Sequence, residues 1–573
     1  MSFNPGPLLL ISNPDPLANL PPGPRGAGVM TEPIVAVNPA NPKNIAAIWI
    51  DDGYAGNVAG VTFDGGQTWQ NVAVPGLTQD TGGSNLAAAD PWLSFAPNGV
   101  LYSSGISFPN KSAPGQILVN RSTDGGLTWS SPTQVNTIEQ SIQTDKPSIT
   151  ADPTNPNFVY ATWAEFNNSS SINGNNARTM FARSTDGGQT WQPAQDIHDA
   201  SGTDFNWGHQ VVVLPDGTVI DAFTEGSYNG SHQAAVTLLR SNDHGQTWSV
   251  PIHAPVEEPL VDQNSNPPNA TVTDPDTGQG VEAHPMFASV AVDRASGALY
   301  AVWIDGRFSN FQYNSIALSM STDGGFTWST PVQVNQTPNT VPPLDRQAWN
   351  PTVAVAADGT VAVSYYDFRN NTAARGALTD YWLAFEHPSA TAPATNPANW
   401  SEVRLTDTSF NLEQAATRFN GDFWLGDYDG LAAAGNDFAA VWAMPDGSST
   451  GKESIFFRRA ISTGSSTDSL SVQTGTTTPQ KLLGATLPPA DFSTAVQTPR
   501  PAQPGTATHT TNEPNSSPAA QIDSEWVALR SPAASTLFVA TSSHPAATTP
   551  AVHLLDHLSV LDELFVNLGN EAA

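Results

Sequence analysis

The 573-residue sequence contains no cysteine, so no disulfide staples its fold. A cytosolic enzyme of this length would usually carry some. Basic residues are scarce as well: 21 Lys plus Arg stand against 52 Asp plus Glu, a formal net charge of −31. A nucleic-acid partner requires a basic footprint and an anionic membrane surface a polybasic one, so neither is expected. Charge of this size instead keeps a chain soluble and monomeric. Long apolar runs are missing too, and no segment approaches the roughly 18 apolar residues of a membrane span. The run Leu8–Ile11 is too short for the apolar core of a secretory signal, and Met1–Ile11 carries no basic residue, so no signal peptide is visible.

What the sequence has in abundance is one eight-residue phrase. Ser184-Thr185-Asp186-Gly187-Gly188-Gln189-Thr190-Trp191 returns as Ser122–Trp129, Ser241–Trp248 and Ser321–Trp328, and with a leading Thr as Thr62–Trp69. Repetition at a long period marks a repeat architecture. Each residue type suits a tight turn between strands. Asp64, Asp124, Asp186, Asp243 and Asp323 accept hydrogen bonds from turn N–H groups, and Gly supplies a positive φ. Thr favours the outgoing strand, and Trp buries a large ring. These five Asp are read as folding residues.

Around each phrase, short strands alternate with turns rich in Pro, Asn, Asp and Gly, as in an all-β closed array. Units start near Thr31, Leu86, Asp145, Asn206, His284 and Gln347. A seventh has Phe423–Tyr428, Phe438–Trp442 and Ser454–Arg459 as its first three strands and lacks a fourth. The stretch Pro7–Asn13 reads as the missing outer strand. The expectation is a β-propeller of seven four-stranded blades closed by an N-terminal strand, with six blades as the alternative. Residues 5–463 form it. Residues 464–535, rich in Ser, Thr and Pro, read as a flexible linker. Residues 536–573 hold a helix near Pro550–Leu568 that could self-associate or dock. An insertion, Pro255–Glu282, contains Asp274-Pro275-Asp276-Thr277-Gly278, which has a weak likeness to a calcium loop and is read as a polar surface loop. No cofactor is expected beyond that weak structural calcium.

The repeated phrase resembles the Asp-box, or bacterial neuraminidase repeat, of sialidases and other β-propellers. The resemblance implies a sialidase-like glycoside hydrolase, an exo-α-sialidase, acting on extracellular or cell-surface glycans. Sialidases with such boxes carry Arg-Ile-Pro in the first blade, three arginines on the sugar carboxylate, a Tyr–Glu nucleophile pair and an Asp acid. Here the first-blade stretch reads Thr31-Glu32-Pro33-Ile34. Arg307, Arg346 and Arg369 are the substitute trio. Tyr366 or Tyr365 with Glu225 or Glu165 is the candidate nucleophile and base, and Asp367 or Asp51 the acid. The second functional class is a non-catalytic propeller that binds glycans or a protein partner.

Strand geometry supplies candidates independently. Second strands end in an aromatic and a carboxylate, as in Trp303-Ile304-Asp305-Gly306-Arg307 and Tyr365-Tyr366-Asp367-Phe368-Arg369, which puts both with an arginine on one side. Starts of first strands add Asp90, Trp92, Asp145, Lys146, Trp207, His209, His284, Arg346 and Trp349, and Asp422 and Asp427 flank the start of the seventh blade. Carboxylates beside aromatic platforms suit a sugar site, with Asp305, Trp349, Trp207 and His209 as binding groups. His209 and His284 lack metal-ligand spacing and are read as hydrogen-bonding rim residues.

Overall fold

The computed structural model describes residues 2–464 apart from 24–25, 111–112, 140–141, 168–176, 201–203, 228–233, 261–270, 284–286, 375, 390–392 and 419–420. The linker and C-terminal helix expected beyond 464 lie outside the described residues, as does His284. Among the described residues the strands form seven four-stranded antiparallel blades, with one extra two-stranded ribbon. The first strands of the blades, which line the central channel, are Thr31–Val37, Ala87–Phe95, Ile142–Ala151, Asp204–Val213, Ser289–Val292, Ala348–Val355 and Gly430–Ala434.

Second strands explain the apolar runs. In Ile45–Asp51 and Leu299–Asp305 every residue is buried, because each blade is covered on both faces by its neighbours. Their tryptophans, Trp49, Trp163 and Trp303, are all but inaccessible to solvent.

Closure follows the strand count. Phe3–Pro5 and Leu9–Leu10 both pair antiparallel with the third strand of blade 7, placing Phe3 against Ser462 and Leu9 against Phe457. The outer strand is thus split in two, rather than running through Pro7–Asn13. Pairing the N-terminal segment with Ser454–Ser462 completes blade 7 and closes the ring at the seam. The seventh blade itself begins later than expected, at Gly430. A Cβ at Gly430 would lie 2.7 Å from the backbone N of Val35, so only glycine lets this strand approach blade 1. The preceding Phe423–Tyr428 stretch leads into the channel instead.

The five Asp-boxes are built alike. In the third, Asp186 accepts from the backbone N–H groups of Gln189 and Thr190 (3.0 and 2.9 Å) and from the Thr190 hydroxyl (2.6 Å). Ser184 donates to Asp186 and accepts from Gly188 N–H. The Thr190 hydroxyl and N–H hold the Asp186 carboxyl down at about 2. The glycine at the fifth position of each box meets the preceding blade: Gly66 faces Phe457, Gly126 Val61, Gly188 Tyr102, Gly245 Phe181 and Gly325 Leu238. Box tryptophans add to this seam, as in the edge-to-face pairs of Trp69 with Phe457 and Trp248 with Phe181, each at 4.9 Å. The boxes touch the turns between first and second strands, as in Gly187 N–H to Asn157 O (2.9 Å), so they share a face opposite the starts of the first strands.

The extra ribbon, Val272–Thr273 with Gly280–Val281, carries the loop read as weakly calcium-like. Asp274 spends its oxygens on the loop's own Asp276 N–H and Thr277 hydroxyl. Asp276 accepts from the Gly376 and Ala377 N–H groups at 3.1 and 3.0 Å, which stitches the ribbon to blade 6.

Gly245 gives a direct test of the box seam. Its φ is 80°, and an added Cβ would fall 2.5 Å from the Phe181 ring, whereas Gly217 (φ 87°) has nothing within 4 Å. Gly217→Ala should cost about 1–2 kcal/mol from left-handed strain alone. Gly245→Ala should cost a further ~1–3 kcal/mol from overpacking. Denaturant unfolding of the two variants checks the difference, and equal losses would contradict the role given to the fifth-position box glycine.

Candidate active site

Five first strands share one irregularity. Their pairing with the second strand slips between Thr31 and Ile34, Ala89 and Trp92, Asp145 and Ser148, Trp207 and Gln210, and Trp349 and Thr352, each a bulge of one extra residue. The residue at the slip is left-handed every time: Glu32 (φ 54°), Asp90 (48°), Lys146 (49°), Gly208 (72°) and Asn350 (50°). Four of the five are not glycine, and those four each precede a proline, which restricts them further. Such strain costs roughly 1–3 kcal/mol per residue and is retained where a bulge re-aims a side chain.

Here the re-aimed side chains meet. The Lys146 ammonium donates to Glu32 Oε1 (3.0 Å), Asp90 Oδ1 (2.7 Å) and Asp427 Oδ2 (2.5 Å), so blades 1, 2 and 3 and the lead-in to blade 7 converge on one nitrogen. Asp427 also accepts from Arg418 (2.6 Å) and the Trp424 indole (2.9 Å). Asp145 accepts from the Lys146 N–H at 3.0 Å. The Phe287 and Tyr428 rings each stand 5.5 Å from the ammonium. All six charged side chains are at least nine-tenths buried. Among the described residues, two carboxylate oxygens, Glu32 Oε2 and Asp90 Oδ2, have no hydrogen-bond partner.

Burial pushes the Glu32 carboxyl well up, against the pull of Lys146 and with the charges of Asp90 and Asp427 adding to the rise. Burial and then Asp90 raise Asp145 to about 7. Burial alone would lower Lys146, but Asp427, Asp90 and Glu32 hold it well above its ordinary value. Beside the cluster lies a channel cavity of about 190 Å³ lined by Trp92, Lys146, His209, Phe287, Asn350 and Tyr428 among others. That exceeds the roughly 10–15 Å³ one water requires, so the cavity is a solvent-sized space. His209 Nδ1 lies 3.1 Å from Asp221, while its buried Nε2 has no partner.

The second-strand candidates lie elsewhere, each engaged locally. Asp51, Glu165 and Asp305 accept from the indole two residues earlier, Trp49, Trp163 and Trp303, at 2.7, 3.0 and 2.7 Å. Glu165 also pairs with Arg178 and Glu225 with His198. Tyr366 donates to Asp429 (3.0 Å) and to the Ala443 carbonyl (2.7 Å), with Trp349 stacked on its ring. The three arginines do not converge. Arg307 binds Asp305, Arg346 binds the carbonyls of Val341 and Asn339, and Arg369 binds Asp367 and Glu402 while stacking on Trp382. Tyr365 also donates to Glu402. Trp207 meets the Phe166 ring edge-on. Glu32, Asn350 and Arg418 were not singled out from the sequence, although charged-residue–Pro dipeptides opening successive first strands are a readable signal.

A family profile described as BNR/Asp-box repeat matches residues 182–193. The chain is a β-propeller that carries BNR/Asp-box repeats. Among solved structures the Asp-box propeller is similar to a Hadza microbial sialidase, Hz136, at 17% identity over 74% of this chain and 75% of that one, with a TM-score of 0.40. It is also similar to the leech intramolecular trans-sialidase (12% identity, 77% and 92% covered, TM-score 0.39) and to the Fusarium graminearum α-L-arabinofuranosidase Arb93A (13%, 77% and 95%, 0.39). No curated protein matches. At these identities and TM-scores no role or site residue is transferred from them. Among the described residues, no helix is long and apolar enough to cross a membrane.

The buried carboxyls make stability depend on pH. Burial raises Glu257 to about 8 and Asp145 and Asp367 to about 7. A carboxyl whose folded pKa exceeds its unfolded value binds its proton more tightly in the fold. Its contribution is therefore complete below about pH 4 and is lost as pH rises through 7 to 8. The thermal midpoint should fall between pH 5 and pH 8 at fixed ionic strength, and Glu257→Gln should flatten the upper part of that slope. A midpoint rising across this window would contradict the assignment.

Proposed function

We propose that this Asp-box propeller is a glycoside hydrolase acting on extracellular glycans, with its reaction centred on the carboxyl cluster around Lys146. The observation that carries the reading is one ammonium holding Glu32, Asp90 and Asp427 side by side, with the Glu32 carboxyl raised by burial. Glycoside hydrolysis uses two neighbouring carboxyl groups, about 5–5.5 Å apart in retaining enzymes and wider in inverting ones. The shared nitrogen keeps the Glu32 and Asp90 oxygens close together, nearer to the retaining arrangement than to the wider inverting one. Glu32, whose hold on a proton is strengthened by burial, serves as the acid that protonates the leaving oxygen. Asp90, whose Oδ2 is unpartnered, serves as the nucleophile at the anomeric carbon or as the base for an attacking water. Trp92 and Tyr428 offer ring faces for a sugar, and His209 Nε2 an acceptor or donor for a hydroxyl.

The finer assignment, exo-α-sialidase, calls for cations on a substrate carboxylate. Lys146 is already matched by three carboxylates, and Arg307, Arg346 and Arg369 are engaged apart from one another, which favours a neutral glycoside over a sialoside. The deep burial of Glu32 and Asp90 favours the second reading, a propeller that binds glycans without cleaving them.

A panel of fluorogenic glycosides, neutral and sialylated, separates these. Turnover of a neutral glycoside is expected, reduced about 10²–10⁴-fold by Asp90→Asn. Glu32→Gln should lose less on an activated aryl leaving group, which needs no proton. Turnover of the sialoside alone would contradict the neutral preference. No turnover, with binding on a glycan array, would make the non-catalytic reading the better one.

A further inference from the structure

We propose that Asp15, Asp51 and Asp52 bind a divalent cation, Ca2+ by its geometry, that fastens the N-terminal segment to blade 1. One carboxylate oxygen from each residue lies within 4.8 Å of the other two. Asp51 is fully buried. Its Oδ2 accepts from the Trp49 indole at 2.7 Å, while its Oδ1 has no hydrogen-bond partner. Leaving a buried carboxylate oxygen without a donor costs roughly 1–3 kcal/mol or more, and a cation removes that cost. Asp15 and Asp52 each use one oxygen on a backbone N–H, of Leu17 and Gly28, both at 2.6 Å, and keep a second. No Lys or Arg pairs with any of the three among the described residues.

The backbone is shaped to bring them together. Adjacent residues of a strand point to opposite faces. Asp52, Gly53 and Tyr54 are instead left-handed in succession, with φ of 44°, 62° and 79°, which turns Asp52 back beside Asp51. The donors are all carboxylate oxygens, which suits a hard cation. Ca2+ takes oxygens at about 2.3–2.6 Å in flexible geometry, so donors up to about 5 Å apart can share it. Mg2+, at about 2.0–2.1 Å in a strict octahedron, would require the three to draw closer.

The position gives the ion a task. Asp15 follows the two closing strands on blade 7, whereas Asp51 and Asp52 end a strand of blade 1. A shared ion would hold the seam at which the ring is sealed. Burial and the charge of Asp15 push the Asp51 carboxyl well up, so protons and the cation compete for the site.

Full-length protein stripped with EGTA is titrated with CaCl2 at pH 7.5, following the thermal midpoint, and with Tb3+, following luminescence excited through tryptophan. Ca2+ should raise the midpoint by several degrees, Mg2+ at equal concentration less, and Tb3+ emission should appear and be displaced by Ca2+. Asp15→Asn, at a half-exposed position, should weaken both responses about tenfold or more, and Asp51→Asn should abolish them. A wild-type midpoint indifferent to Ca2+ and EGTA would overturn the proposal. So would an Asp15→Asn variant that responds like wild type, which would place the ion elsewhere. Asp51→Asn raising the Ca2+-free midpoint in a protein that ignores Ca2+ would assign the pair a shared proton instead.

Discussion

The ammonium of Lys146 is the one group the channel cannot do without. It is buried with three carboxylates from three other parts of the ring, and a fourth, Asp145, precedes it in sequence. Removing charges from water costs several kcal/mol per ion, and mutual attraction repays it only when geometry is good. Four non-glycine residues around the channel also hold left-handed backbone in front of proline. A fold seeking stability alone would place apolar side chains there. The propeller tolerates the arrangement because its blades fix each first strand independently, so the bulges are imposed by the surrounding sheets.

The two faces divide the labour. On one, the Asp-boxes close turns with their own carboxylates and seat their fifth-position glycine on the preceding blade. Those Asp are spent on local hydrogen bonds. On the other, the charged residues at the bulges answer to partners many tens or hundreds of residues away, as Lys146 does to Glu32 and Asp427. Stability and chemistry are therefore encoded in different strings of the same sequence. Substitutions on the box face act through packing, and substitutions at the bulges act through charge.

That division also explains what the sequence revealed. The boxes, the blade count and the sealing role of the N-terminus were legible because each rests on short-range chemistry: a turn, an alternating strand, a missing fourth strand. The seventh blade's first strand was misplaced because Phe423–Tyr428 has strand-like composition, while the tight approach of Gly430 to Val35 is visible only in three dimensions. At the second-strand ends, Asp305 and Arg307 do lie together, yet nothing local shows that the Trp303 indole already occupies the carboxylate. Glu32 registered in the sequence as the absence of an arginine. Its partnership with Asp90 and Lys146, 58 and 114 residues on, depends on ring closure, and no motif of fixed spacing can express that.

The most direct test of the channel cluster as the working site is a crystal structure with an oligosaccharide the protein turns over or binds. The account predicts sugar density in the cavity beside Trp92, His209 and Tyr428, with the anomeric carbon or its neighbouring oxygen next to Asp90 and Glu32. Sugar seated on the Asp-box face, or over Arg369 and Trp382 with the channel empty, would contradict it.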